Sequence, residues 1–223
     1  MLNIKNALES ILVSFVLTSF TYFVGLQYGW INEFDKLEAA GVFFNYACVW
    51  LVARQSMMNW PLGLIASTLL GILFYQLGLF SSMVLSLAYF IPVQLWGWWN
   101  WKYGGTGKTE LKVSLMSLGQ MVNLVVIGGI SWFVVAQINT YFGATSPILD
   151  TGILVLSIVA QYLLGLKKIE SWLIWIAVNV LSIYVYGSGG AFLLAFQYFF
   201  FLLNAIWGFY RWWISYLGES HDD

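Results

Sequence analysis

The sequence is poor in charge, cysteine, proline and histidine, and each shortage closes off a class of protein. Only 9% of its 223 residues are charged, against about 25% in a soluble domain, so the chain cannot dress a water-facing surface. A net charge of −1 gives no grip on a phosphate backbone, and nucleic acid is excluded as a partner. Cys48 stands alone, which rules out an intrachain disulfide or a cysteine-rich metal site. His221 is the single histidine and falls in the polar tail Glu219 to Asp223. No nucleophile–base pair and no metal-ligand set can be assembled inside the chain from these residues, so neither an enzyme, a metal nor a cofactor is expected. No carboxylate, lysine or arginine lies near the middle of a long apolar run. Such residues mark proton and ion pathways in membranes, so their lack argues against proton coupling through a buried carboxylate. Sodium held by neutral oxygens stays open, and facilitated diffusion is the simplest mechanism.

What remains is apolar. Hydrophobic residues make up 61% and aromatics 19%, with a mean hydropathy of +0.80. Eight runs are long enough to cross the hydrocarbon core: about 8–27, 38–55, 60–76, 80–101, 113–136, 149–166, 171–187 and 190–214. They are continuous, without the period-2 alternation of outer-membrane strands. The fold class is therefore an all-α, polytopic membrane protein with eight transmembrane helices. With eight spans, Lys5, Arg54, Lys102, Lys108, Lys112, Lys167, Lys168 and Arg211 share one face, and Lys36 alone lies on the other. The positive-inside rule makes the first face cytoplasmic and places both termini there. The first run follows Lys5 like a signal peptide, but it lacks an A-x-A-like site and exceeds a typical h-region, so it reads as a retained helix.

A shift of 111 residues lays the chain on itself. It carries Trp96-Gly97-Trp98-Trp99-Asn100-Trp101 onto Trp207-Gly208-Phe209-Tyr210-Arg211-Trp212, and Ile65-Ala66 onto Ile176-Ala177. Leu70, Ile72, Tyr75 and Gly78 fall on Leu181, Ile183, Tyr186 and Gly189. A period this long is not that of a solenoid unit; in a hydrophobic chain it points to a transporter made of two related bundles. The expected division is an N-terminal helix and loop (1–36), a first three-helix repeat (37–102), a linker helix with its loops (103–146), a second repeat (147–214) and a cytoplasmic tail (215–223). One linking helix restores orientation, so the two repeats run parallel, as in SWEET proteins.

Local punctuation adds detail. Pro61 opens the third span, where its missing N–H costs nothing, and Pro92 is expected to kink the fourth. Gly63, Ser67 and Gly71 recur every four residues and suit close helix packing. The membrane core carries uncharged hydrogen-bonding groups. Thr68 and Asn179 are related by the 111 shift, near the middle of their helices, where parallel-repeat transporters hold substrate. Trp175 lies one turn before Asn179 on the same face and suits a flat, cationic or π-rich ligand. Ser182, Gln197, Gln94 and Asn45 complete the candidate substrate-binding set. Gln120 and Asn123, one turn apart on the linker, read as structural or as a subunit contact. The tryptophans of 96–101 and 207–213 flank basic residues and read as interfacial anchors.

These residues also carry a family likeness. Lys168-Ile169-Glu170-Ser171-Trp172-Leu173-Ile174-Trp175, followed by Asn179 and Ser182, resembles the second-repeat motif of the PnuC nicotinamide riboside transporters. Asn59 to Gly71 and Trp96 to Trp101 resemble the first-repeat counterpart. The resemblance spans about residues 37–213 and leaves the first helix as an extra. It implies a bacterial inner-membrane protein that takes up nicotinamide riboside for NAD synthesis, with cytoplasmic phosphorylation trapping the substrate. It further implies a homotrimer in membrane lipid, with one pathway per subunit. Thr68, Trp175, Asn179 and Ser182 match the family pattern; an acidic residue can stand at the place of Gln197 in relatives; Asn45 and Gln94 rest on geometry. A core without arginine or lysine offers a phosphate no partner, which favours a riboside. The rival reading is a SWEET-like uniporter of another neutral vitamin or a sugar, because fold does not fix substrate.

Overall fold

The computed structural model describes residues 4–31, 34–76, 83–141 and 147–219. Gly78 and the end of the tail (residues 220–223, with His221) lie outside the described residues. The described residues form eight α-helices: α1 (Ile4–Gln27), α2 (Lys36–Ala53), α3 (Asn59–Gln76), α4 (Ile91–Tyr103, entered through a π turn at Leu85–Phe90), α5 (Leu118–Tyr141), α6 (Pro147–Gly165), α7 (Glu170–Ser188) and α8 (Phe192–Glu219). Six of them (α1, α2, α5, α6, α7 and α8) are long and apolar enough on their own to cross a membrane. Helix α3 has 18 residues and mixes Gly63, Ser67, Thr68 and Gly71 into its apolar run, which lowers its hydropathy. The protein is an all-α polytopic membrane protein.

The chain separates into two compact units at Leu111–Lys112, and each holds four helices in sequence. In the first, α1 packs on α2, α2 on α3, and α3 on α4 and its π turn. In the second, α5 packs on α6, α6 on α7, and α7 on α8. The helices set apart in sequence as an extra and a linker thus each join the triplet that follows them.

In the first unit, Asp35 caps α2 by accepting the Glu38 N–H at 2.7 Å, satisfying an orphan donor of the first turn. Thr21 of α1 and Tyr46 of α2 hydrogen-bond at 3.1 Å, both buried. At the other end of that pair, Arg54 bonds Glu9 and lies 4.4 Å over the Trp50 ring. The small face of α3 is a packing face: a Cβ on Gly63 would overlap the Gln94 amide, and one on Gly71 would overlap Leu87. Pro61 sits in the first turn of α3, where no intrahelical N–H is needed. The break expected at Pro92 takes the form of the π turn just before it.

In the second unit, Asn139 donates to Thr151 at 2.8 Å and Trp132 to the Ile148 carbonyl at 3.0 Å, joining α5 to α6. The segment before α5 is tied to the α6–α7 turn: Ser114 N–H donates to Lys167 O, Ile169 N–H to Ser114 O, and Met116 N–H to the Glu170 carboxylate. Ser117 and Gln120 form a reciprocal capping box at the start of α5.

The two units share local geometry that fixes their register. Gln55 and Lys167 both take left-handed backbone, φ 53° and 54°. Ser56 N–H bonds Leu51 O at 3.0 Å, and Lys168 N–H bonds Leu163 O at 2.9 Å. Trp60 meets Trp101 edge-on at 5.1 Å and 87°, as Trp172 meets Trp212 at 5.4 Å and 87°. Gly97 lies against the Trp60 ring, and Gly208 against that of Trp172. The α2–α3 and α6–α7 pairs therefore correspond at a shift of 112, whereas α4 and α8 correspond at 111. The first unit holds one more residue between Trp60 and Gly97 than the second does between Trp172 and Gly208. That stretch contains the π turn, whose hydrogen bonds span one residue more than those of an α-helix; α8 is α-helical from Phe192 to Glu219.

Candidate functional site

The candidate residues of the second unit lie on two neighbouring helices. Helix α7 begins at the α6–α7 turn, where Ser171 N–H bonds Lys168 O and Trp172 N–H bonds Ile169 O. From there Trp175, Asn179, Ser182 and Tyr186 follow at spacings of four, three and four, and so share one face. Asn179 is 3% exposed and Ser182 is fully buried. Trp175 is half-buried. Tyr186 stacks on Tyr198 of α8 at 5.4 Å and 27°, and Tyr198 meets Phe201 edge-on at 5.8 Å. Gln197, adjacent to Tyr198, is half-buried.

In the first unit Gln94 is buried on α4 against Gly63. Asn45 is half-buried on α2. Thr68 is exposed, and its hydroxyl donates to the Leu64 carbonyl of its own helix at 2.8 Å. The pairing of Thr68 with Asn179 needs correction. At the register fixed by the turns, Ala66 answers to Val178, Ser67 to Asn179 and Thr68 to Val180. Burial agrees: Ala66, Val178, Ser67 and Asn179 are 4%, 1%, 8% and 3% exposed, while Val180 is 50% exposed. The same register sets Gly63 against Trp175, and that of α4 sets Gln94 against Ala205. Where the first unit has a glycine facing a glutamine, the second has a tryptophan and an alanine.

Ser67, Tyr186 and Tyr198 escaped the sequence reading. Ser67 was visible only as packing between two glycines, and the two tyrosines were lost among 13. Gln120 caps α5.

The α7 face offers an amide, a hydroxyl and rings, with no ionised group. Rings attract a flat cation, and amides and hydroxyls pair with polyols and carboxamides. Residues 35–214 match the sequence profile of a family described as "Nicotinamide mononucleotide transporter". The chain belongs to this family. Among curated relatives, the "Nicotinamide riboside transporter PnuC" of Neisseria mucosa is 31% identical, the match covering 81% of this chain and 73% of the relative. The "Riboflavin/roseoflavin transporter RibM" of Streptomyces davaonensis is 26% identical over 75% of this chain and 79% of that one. The crystal structure of the vitamin B3 transporter PnuC superposes with a TM-score of 0.70 at 26% identity, covering 91% of this chain and 89% of that one. As a member of the nicotinamide mononucleotide transporter family, the chain is a multi-pass membrane transporter.

Proposed function

We propose that this protein carries nicotinamide riboside across a bacterial inner membrane by uncoupled facilitated diffusion, with cytoplasmic phosphorylation trapping the product for NAD synthesis. The observation that carries the proposal is the α7 face of Trp175, Asn179 and Ser182, uncharged and within the segment matched by the family. Trp175 stacks on the cationic nicotinamide ring, and Asn179 and Ser182 bond its amide or ribose. Gln197 and Tyr198 border that face from α8; in the first unit, Thr68, Gln94 and Asn45 are the proposed substrate contacts. The family description names a mononucleotide, yet no lysine or arginine stands in mid-span to pair with its phosphate. Eight spans, cytoplasmic termini and a homotrimer complete the proposal.

Riboflavin is the second reading, favoured by the similarity to RibM. Its ring is flat but larger and uncharged, so it gains no cation–π attraction at Trp175. Calorimetric titration of the purified protein with nicotinamide riboside, nicotinamide mononucleotide and riboflavin separates the readings. Nicotinamide riboside is expected to bind at least tenfold tighter than either competitor, a gap of about 1.4 kcal/mol. Tighter binding of riboflavin or of the mononucleotide contradicts the assignment.

A further inference from the structure

The polar face of α7 has an abrupt far end, which lies wholly within the second unit. From Trp175 to Ser182 the helix rises roughly 10 Å, the stretch along which the nicotinamide ring and its ribose are laid. One turn beyond Ser182, Tyr186 stands on the same face, and Tyr198 of α8 lies across the step between them. The Tyr198 ring stacks on that of Tyr186 at 5.4 Å and 27°, and its hydroxyl faces those of Ser182 and Tyr186. We infer that the Tyr198 ring sets the length of ligand the site accepts: it ends the α7 face beyond Ser182, admitting a single-ring riboside and excluding a three-ring ligand with a polyol chain. This deepens the proposed function and rests on the α7 face being the binding face.

Tyr198 is held in place. Phe201 meets its ring edge-on at 5.8 Å, so the ring is packed by two other aromatics. The turn beyond them ties the two helices together: Ala191 N–H donates to Tyr186 O at 2.8 Å and Gly189 N–H to Val185 O at 3.0 Å, while Gly187 faces Ala195. Swinging the ring aside would forfeit close-packed contacts. The repeat supplies an internal control. At the register of the turns, Ser182 and Tyr186 answer to Leu70 and Phe74 on α3. Helix α3 packs on its neighbours with apolar side chains at both positions, so the fold of a unit does not require the two hydroxyls. A riboside stacked on Trp175 ends near Ser182. Riboflavin has three fused rings and a ribityl chain, and laid on the same tryptophan it runs on into Tyr198. A clash with a fixed ring discriminates against the longer ligand without adding any contact to the shorter one.

Calorimetric titration of the purified full-length protein with nicotinamide riboside and with riboflavin tests this in the parent, Tyr198→Ala and Tyr198→Phe. The parent is expected to favour the riboside. Tyr198→Ala removes the ring and should tighten riboflavin binding at least about tenfold, a gain that mere loss of structure does not produce. Tyr198→Phe keeps the ring and should bind riboflavin as weakly as the parent. Should Tyr198→Ala fail to fold, the shorter but still apolar Tyr198→Leu decides, with a gain in the same direction expected. Riboflavin binding that is unchanged in the shortened variant, or tightened as much in Tyr198→Phe, overturns the inference and leaves the parent's preference for the riboside standing. A parent that prefers riboflavin overturns both the inference and the proposed substrate.

Discussion

Ser67 and Thr68 are neighbours, and one residue of register decides which of them stands where Asn179 stands in the second unit. The 111 shift chose Thr68 because Trp-Gly-x-x-x-Trp is the strongest repeated motif and because the apolar identities of α3 agreed with it. In a chain that is 61% hydrophobic, matched isoleucines and leucines carry little register information. The turn at Gln55 and Lys167 carries more, since both residues hold a left-handed backbone that few side chains adopt. Ser67→Leu should overpack the α3–α4 interface and lower stability by about 1–3 kcal/mol, whereas Thr68→Leu should stay within about 0.5 kcal/mol. Thermal unfolding in detergent reads the difference, and the reverse order would restore the 111 pairing. On α7, Trp175→Ala and Asn179→Ala should each weaken nicotinamide riboside binding about tenfold or more, by loss of a desolvated cation–π contact or of a hydrogen bond. Calorimetry on variants that elute like the parent measures this. Parent-like affinity in both would move the site off the α7 face.

At the scale of elements, the eight helices could be read from continuous apolar runs, because a membrane span is long and needs no partner to be recognised. The packing could not. Trp96 to Trp101 and Trp207 to Trp213 read as interfacial anchors, yet Trp101 and Trp212 are 1% and 0% exposed and lock α4 to α3 and α8 to α7. Their burial depends on Gly97 and Gly208 giving way to a ring from another helix, a match that no single run displays. Gly208→Ala should therefore destabilise by about 1–3 kcal/mol through a displaced Trp172 ring, seen as a lowered melting temperature. An unchanged melting temperature would mean that the ring has room to move. The π turn supplies a sharper test. If it takes up the extra residue of the first unit, deleting Ala88 converts it to α-helix and leaves Gln94, Gly97 and Trp101 on their faces. That variant should purify as a folded species, while deletion of Leu95, in regular α-helix, should not. Failure of the Ala88 deletion alongside survival of the Leu95 deletion would place the extra residue elsewhere.

At the scale of the whole molecule, the scarcity of charge and the long apolar runs marked the membrane class, the repeat pointed to a transporter, and the family match extends over residues 35–214. Grouping was less legible: α1 and α5 look like an appendage and a linker in sequence, but each packs on the helix after it, giving two four-helix units. The eight-span topology predicts that Thr106→Cys and Phe34→Cys label from opposite sides of the membrane, while the buried Cys48 stays silent. Same-side labelling would contradict the span count. The central claim is uncoupled passage of nicotinamide riboside through a site without ionised groups. Its most direct measurement is radiolabelled riboside flux into liposomes that contain the purified protein and hold no ion gradient. Substrate should equilibrate across the membrane in both directions without accumulating, an imposed sodium or proton gradient should not change the end point, and Asn179→Ala should slow the flux. Concentrative uptake driven by either gradient, or flux indistinguishable from protein-free liposomes, would contradict the account.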